Sequence, residues 1–292
     1  MGCNLTPHFF YFLLLFFTLT KTKKMYTTKQ EQNGCKPTSL NYSGRSLYKP
    51  EQKYKAVKNL LSEGSTNSKT AKNELTTYIL YLAPANTIGT HNLCPMASKG
   101  CIKSCLYSAG RGRFSNVQLS RINKAKFWAY DRQAFYIQLA NEILKIHNKA
   151  TDLLNGTFEQ IAIRLNGTSD IDHLSLIKKY TGIDFLDGFY SNLLFYDYTK
   201  NINVFRRYFG TNYKLTFSKS ESNFDECLEV ISLGGNIAAV FAAELPDTYG
   251  GISVINGDES DLRYFDPSGV IVGLKAKGDA KKDLSGFVIN QY

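Results

Sequence analysis

Three cysteines, Cys94, Cys101 and Cys105, fall in one short loop of a chain that holds only six. Thiolates bind soft metals, and a compact loop can bring three of them to one centre. Pro95 and Gly100 suit a loop that must fold back sharply. Three thiolates can hold three irons of a [4Fe–4S] cluster and leave the fourth iron open to a ligand, whereas protein-held clusters usually take four Cys. With His91 as a fourth ligand, the same thiols would close a structural zinc site. The plain alternative is three reduced thiols that hold no metal. Lys99, Lys103, Arg111 and Arg113 lie nearby and would offset the charge of a thiolate-bound cluster. Cys3, Cys35 and Cys227 are scattered, and secreted disulfide frameworks are usually smaller and denser in Cys. Metal ligation in a reducing, cytoplasmic compartment is therefore the expectation.

A second set of residues is polar where its neighbours are apolar. Arg164 lies in an apolar run and is followed by Asn166, Ser169 and Asp170. A buried Arg needs a carboxylate or carbonyl partner, which Asp170 or Asp197 would supply. Arg164, Asn166 and Ser169 are thus candidates for holding an anionic cofactor, with a structural ion pair as the alternative. Asp170, Asp197 and Lys200 are candidates for acid–base or carboxylate-binding chemistry; taken singly, a cap and a solvated Lys explain them. Gly257–Asp261 (GDESD) lacks cation-loop spacing and reads as a turn with solvated carboxylates. His147 and His173 read as packing or surface residues. No phosphate-loop, zinc-protease or nucleophile-elbow motif occurs.

These residues need a frame that gathers them. Short apolar runs at 78–83, 161–165, 193–198, 213–217, 237–241, 252–255 and 270–274 read as strands. Helical spacing covers 117–147, 171–180 and 224–233. The alternation implies βαβ units, hence an α/β fold: a complete or partial (β/α) barrel with mostly parallel strands, with a doubly wound sheet as runner-up. Barrel chemistry sits at the C-terminal ends of the strands. Those ends carry Asn166, Ser169, Asp170, Asp197, Lys200, Ser218, Lys219 and Asp261, and the Cys loop follows the first strand.

Charge separates this body from what precedes it. The net charge is +10, with 12 Lys/Arg against 3 Asp/Glu in residues 1–72 and 23 against 22 in residues 73–292. The body is therefore no basic platform, and nucleic-acid contact is expected only through the basic N-terminal segment. Residues 9–20 (FFYFLLLFFTLT) are fewer than the roughly 20 apolar residues of a spanning helix. They have the length of a signal-peptide core but lack a preceding basic stretch, and Met1–Thr6 fits a lipidation pattern. Membrane association through residues 9–20 is the alternative localisation, and Met25 an alternative start. Three segments result: 1–24 hydrophobic, 25–74 basic and loosely ordered, and 75–292 the α/β domain. Tyr54–Leu61 (YKAVKNLL) hints at a short helix, and the first 72 residues are expected to be mostly dispensable for folding.

The Cys loop running through Leu106-Tyr107 to Gly110-Arg111-Gly112-Arg113-Phe114, the segment Arg164–Asp170, and Phe195–Lys200 together resemble the phage gene product 88 family of uncharacterised proteins. In that family the second motif usually runs R-[IL]-x-x-S-G-D, where this chain has Arg-Leu-Asn-Gly-Thr-Ser-Asp. The arrangement is also remotely similar to radical S-adenosylmethionine barrels, in which a three-Cys loop follows the first strand and an aromatic residue follows the last Cys. That resemblance implies a [4Fe–4S] cluster with S-adenosylmethionine on its free iron. The usual C-x3-C-x2-C spacing is here C-x6-C-x3-C, and no Gly-Gly-Glu segment follows the second strand. Two functional classes follow: an iron–sulfur protein, with a divergent radical-type enzyme as its catalytic form, or a non-catalytic phage- or mobile-element-type protein with a structural zinc site or no metal.

Overall fold

The computed structural model describes residues 53–64, 75–151 and 156–290, all within one unit, Gly44–Tyr292. The hydrophobic run at 9–20, the start at Met25, and Cys3 and Cys35 lie outside the described residues. The apolar runs form strands β2 (Thr77–Leu80), β3 (Ile161–Arg164), β4 (Leu193–Thr199), β5 (Tyr213–Ser218), β6 (Asn236–Phe241), β8 (Ile252–Asn256) and β9 (Ile271–Lys275). Three short strands escape the sequence reading: β1 (Leu61–Glu63), β7 (Thr248–Tyr249) and β10 (Val288–Ile289). They are too short to show a periodic pattern and exist only through their neighbours.

The ten strands form one sheet in the order β1-β2-β3-β4-β5-β6-β9-β8-β7, with β10 beside β6. Every pairing is parallel except β1–β2 and β7–β8. From β2 to β6 the order follows the chain without reversal. With the right-handed crossovers that parallel βαβ units almost always take, this order stacks the intervening helices on one face, as barrel winding does and double winding does not. No pairing joins the two ends of the sheet among the described residues, so the expectation of a complete barrel is corrected to an open, mostly parallel sheet. A two-residue outer strand at one end and a three-residue one at the other leave little length for closure.

Alternation sorts the side chains. Ile161, Ile163, Leu193, Phe195, Phe217, Ile237 and Phe241 face the helices and build the core. That layer comprises α2 (Ser115–Tyr130), α3 (Arg132–Ala150), α4 (His173–Thr181), α5 (Ile202–Tyr208) and α6 (Phe224–Ser232); α1 (Lys99–Lys103) belongs to the Cys loop. The single long helix expected over 117–147 is two. Asp131 leaves helical dihedrals, and its carboxylate accepts from Ala134 N–H to start α3.

Residues 53–64 are built into the domain, contrary to their reading as part of a loose lead-in. Tyr54–Leu60 is not helical, and Leu61 opens β1. Backbone groups of this segment are matched by side chains: Asn123 exchanges two hydrogen bonds with Lys55, Gln138 donates to Val57 O, Lys124 Nζ donates to Leu60 O, and Glu142 accepts from Leu60 and Leu61 N–H. Tyr54 stacks on Phe127 at 4.8 Å, and Leu60 and Leu61 are buried.

His173 is a buried core residue. Trp128 Nε1 donates to Tyr136 Oη, whose hydroxyl meets His173 Nδ1 at 3.2 Å, and His173 Nε2 has no partner among the described residues. Burial pushes its pKa down to about 3. The folded value lies below the unfolded one, so the unfolded chain takes the proton first. Stability is full above the ordinary His pKa and is lost as pH falls from there toward 3. Between pH 7 and pH 5 this single group costs about 2 kcal/mol. Asp197, pushed up to about 6 by burial, works in the opposite sense over part of that range. The expected result is therefore a difference: urea unfolding at pH 7 and pH 5 loses less stability in His173→Gln than in the natural protein. Equal losses would refute it.

Candidate functional site

The Cys loop leaves the end of β2 and crosses the rim formed by the C-terminal ends of the parallel strands. Its first anchor is Cys94. The thiol accepts from Ala85 N–H at 3.3 Å and lies 3.8 Å from Thr168 O, while Thr168 Oγ1 donates to Leu82 O. Asp170 N–H donates to Leu93 O, tying the loop after β3 to the loop after β2. The second anchor comes from across the rim. Glu221, just after β5, accepts from Ser98 Oγ at 2.6 Å and Gly100 N–H at 2.8 Å. Ser98 Oγ in turn accepts from Cys101 N–H and caps α1. Cys101 packs against Ala276, Ala280, Phe287 and Val288. The loop thus spans from the β2–β3 side to the β5–β6–β10 side.

Cys94, Cys101, Cys105 and the distant Cys227 are thiols. Burial pushes Cys94 up to about 12, and Asp170, Cys105 and Cys101 add to the rise through their charges, so the three loop thiols share one neighbourhood. Burial also raises Cys105, while the cations of Lys200 and Arg121 work against that rise. Arg121 lies 4.6 Å from the Tyr81 ring and 5.8 Å from Tyr107, and its Nη1 is buried with no hydrogen-bond partner among the described residues. The donor chemistry suits a soft metal. As they stand, however, the thiols do not make a ready ligand set: among the described residues no group of three or more His, Cys, Asp or Glu is placed to hold a metal ion. His91 is occupied elsewhere, its ring edge-on to Trp128 at 5.9 Å and Nδ1 3.1 Å from Thr90 Oγ1.

The other candidates divide by face. Asp170 and Lys200 are the candidates whose charges act on the thiols, Asp170 on Cys94 and Lys200 on Cys105. Asp170 accepts from Thr199 Oγ1 and Lys200 N–H, and burial raises its pKa. Lys200 Nζ sits 5.5 Å from the Phe287 ring, and its charge acts on both Asp170 and Cys105. Asp197 does not face the rim. Alternation along β4 places it with the helix-facing residues, fully buried, where it accepts from Leu165 N–H, Asn166 N–H and Tyr213 Oη. Its role is to clamp the end of β3 to β4 and β5.

Arg164 lies on the opposite face between Tyr196 and Tyr198, and bonds Asp261 Oδ2 at 2.7 Å with Asp197 Oδ1 at 3.7 Å. Its closer partner, Asp261, is neither carboxylate expected from sequence, while Asp197, one of those two, pairs with it at longer range. Asp261 comes from the connection between β8 and β9. Asn166 and Ser169 spend their polar atoms on their own loop: Asn166 Oδ1 accepts from Ser169 Oγ and Ile171 N–H, and Asn166 Nδ2 donates to Ile171 O. Glu221 and Arg121 were missed. Both are isolated charges in polar or helical stretches, and only the fold carries them to the loop.

Residues 55–291 match the sequence family described as gene product 88. The chain belongs to the gene product 88 family. The matched range takes in most of the 53–64 segment as well as the whole Cys loop. No curated protein and no solved structure matches the chain. The match thus bears out the gene product 88 resemblance and lends nothing to the likeness with radical S-adenosylmethionine barrels. No helix of the described residues is long and apolar enough to cross a membrane.

Proposed function

We propose that this gene product 88 protein binds a soft metal centre through Cys94, Cys101 and Cys105, and that the centre is an iron–sulfur cluster. One observation carries the reading. Three thiols sit on one doubly anchored loop over the strand ends, with the Arg121 and Lys200 cations acting on Cys105. Bringing the thiols to one centre would release Cys94 from Ala85 N–H and Thr168 O and shift Cys101 from its apolar seat. Three thiolates would hold three irons, and a free fourth iron would offer a place for an amino-acid-type ligand such as S-adenosylmethionine, the source of radical chemistry. Within the chain, Asp170 and Lys200 would line that position, while Arg164, Asn166, Ser169 and Asp197 hold the rim in shape.

The second reading is a non-catalytic phage-type protein with a structural zinc or no metal. The separation of the thiols from any ready ligand set favours it. Anaerobic reconstitution with iron and sulfide decides between the two. A cluster predicts brown protein that each of Cys94→Ser, Cys101→Ser and Cys105→Ser bleaches, with His91→Ala tolerated. Zinc predicts colourless protein whose metal is lost in His91→Ala as fully as in Cys101→Ser. Protein that retains neither iron, sulfide nor zinc would overturn the metal reading.

A further inference from the structure

Charge within the described domain is strongly segregated. From Leu75 to Tyr130 the chain has seven Lys/Arg and no Asp or Glu, whereas from Asp131 to Tyr292 it has 16 against 21. Arg121 and Lys124 turn inward, but Lys99, Lys103, Arg111 and Arg113 are exposed on the Cys loop. None of these four is in an ion pair among the described residues. The same stretch exposes large apolar side chains: Met96 at 52%, Ile102 at 48%, Leu106 at 57%, Phe114 at 54% and Leu119 at 65%. Apolar groups interleaved with unpaired cations on a loop that is otherwise firmly anchored mark a recognition surface.

We propose that the outer side of the Cys loop, from Met96 to Leu119, docks an acidic protein surface. The proposal does not depend on a bound metal. Lys103 acts on the nearby Asp283 carboxylate at longer range, whereas Lys99, Arg111 and Arg113 have no such partner among the described residues, and this excess of positive charge calls for an anionic partner. The apolar component decides its class. Four of the five exposed groups are aliphatic or thioether side chains, which bury well against another protein, and only Phe114 offers the flat ring on which a nucleic-acid base stacks. The protein's own N-terminal segment is a poor occupant on charge, since residues 1–72 are themselves strongly basic.

The test uses two polyanions of similar charge: a random glutamate–tyrosine copolymer, acidic and apolar like the proposed partner, and an oligothymidylate. Binding is followed by fluorescence anisotropy against salt. The copolymer should bind the full chain more tightly than the oligonucleotide. Lys103→Glu combined with Arg113→Glu should weaken it about tenfold or more at low salt. Phe114→Ser combined with Leu119→Ser should weaken it several-fold without changing the salt slope. All four positions are exposed, so melting temperatures should stay near that of the natural protein. Lys178→Glu, on the exposed side of α4, should change nothing. Tighter oligothymidylate binding would replace the protein partner with a nucleic acid. Copolymer binding seen only after removal of residues 1–52 would show that the chain's own segment occupies the face. Loss of binding in neither double variant would remove the surface altogether. Each of these three results overturns the proposal.

Discussion

A chain beginning at residue 65 should melt far below one beginning at residue 53. The segment between them buries Leu60 and Leu61 completely or nearly so, at 0% and 7% exposure. Burial of two leucines stabilises by roughly 3–6 kcal/mol. Removing the segment also strands its partners. Lys124, 8% exposed, loses the Leu60 carbonyl it donates to, and Glu142 loses the two backbone N–H groups it accepts. Lys124 and Glu142 keep each other as opposite charges and become open to water, so the leucine burial and the lost hydrogen bonds carry the effect. The sum is comparable to the whole stability of a typical domain, about 5–15 kcal/mol. Leu60→Ala combined with Leu61→Ala in the chain beginning at 53 is the informative partner variant: it should lose much of the same stability with the backbone hydrogen bonds of the segment still in place. Equal melting temperatures for the two truncated chains would refute the expectation and restore the view of residues 53–64 as dispensable.

The second large effect is expected at Gly100, where α1 meets the far side of the rim. A Cβ there would run into Ser285 Oγ and come within 2.7 Å of Phe287 Cβ and 2.9 Å of Glu221 Oε1. Two of these atoms belong to the C-terminal segment leading into β10, and the third is the carboxylate that anchors the loop. Gly100→Ala must therefore lift α1 off its seat, at a cost of about 1–3 kcal/mol. The Glu221 bonds to Ser98 and Gly100 go with it, and Cys101 leaves its apolar cluster. The predicted readout is a lower melting temperature together with faster reaction of Cys101 with a disulfide reagent. Gly188→Ala is the control, since no atom lies within 4 Å of its added methyl. Unchanged thiol reactivity in Gly100→Ala would mean that the seat does not position Cys101.

Much of the frame was legible because parallel strands covered by helices are apolar almost throughout, as in Leu193–Phe195 and Ile237–Phe241. Their order, βα by βα, carried the single-handed winding. Glycine and capping signals carried the helix ends: Gly182 takes φ +74° after α4, and Asn201 caps α5. What misled was spacing without context. Tyr54, Val57 and Leu60–Leu61 recur as on a helix, but their backbone is satisfied by Asn123, Lys124, Gln138 and Glu142, far along the chain. Asp197 follows two aromatic residues at a strand end and so reads as a rim residue, yet its position in the alternation turns it toward the helices.

By itself the sequence determined the α/β class, the position of the thiols after the first parallel strand, and the family to which the chain belongs. Each of these is written in local residue types: apolar runs, turn residues, and Cys at close spacing. Tertiary structure alone decided which charges meet. Arg164 and Asp261 are 97 positions apart, and Ser98 and Glu221 are 123 apart. No local signal records such pairs, because they form only when the sheet order brings strand ends together and desolvation then makes every buried charge take whichever partner the fold supplies.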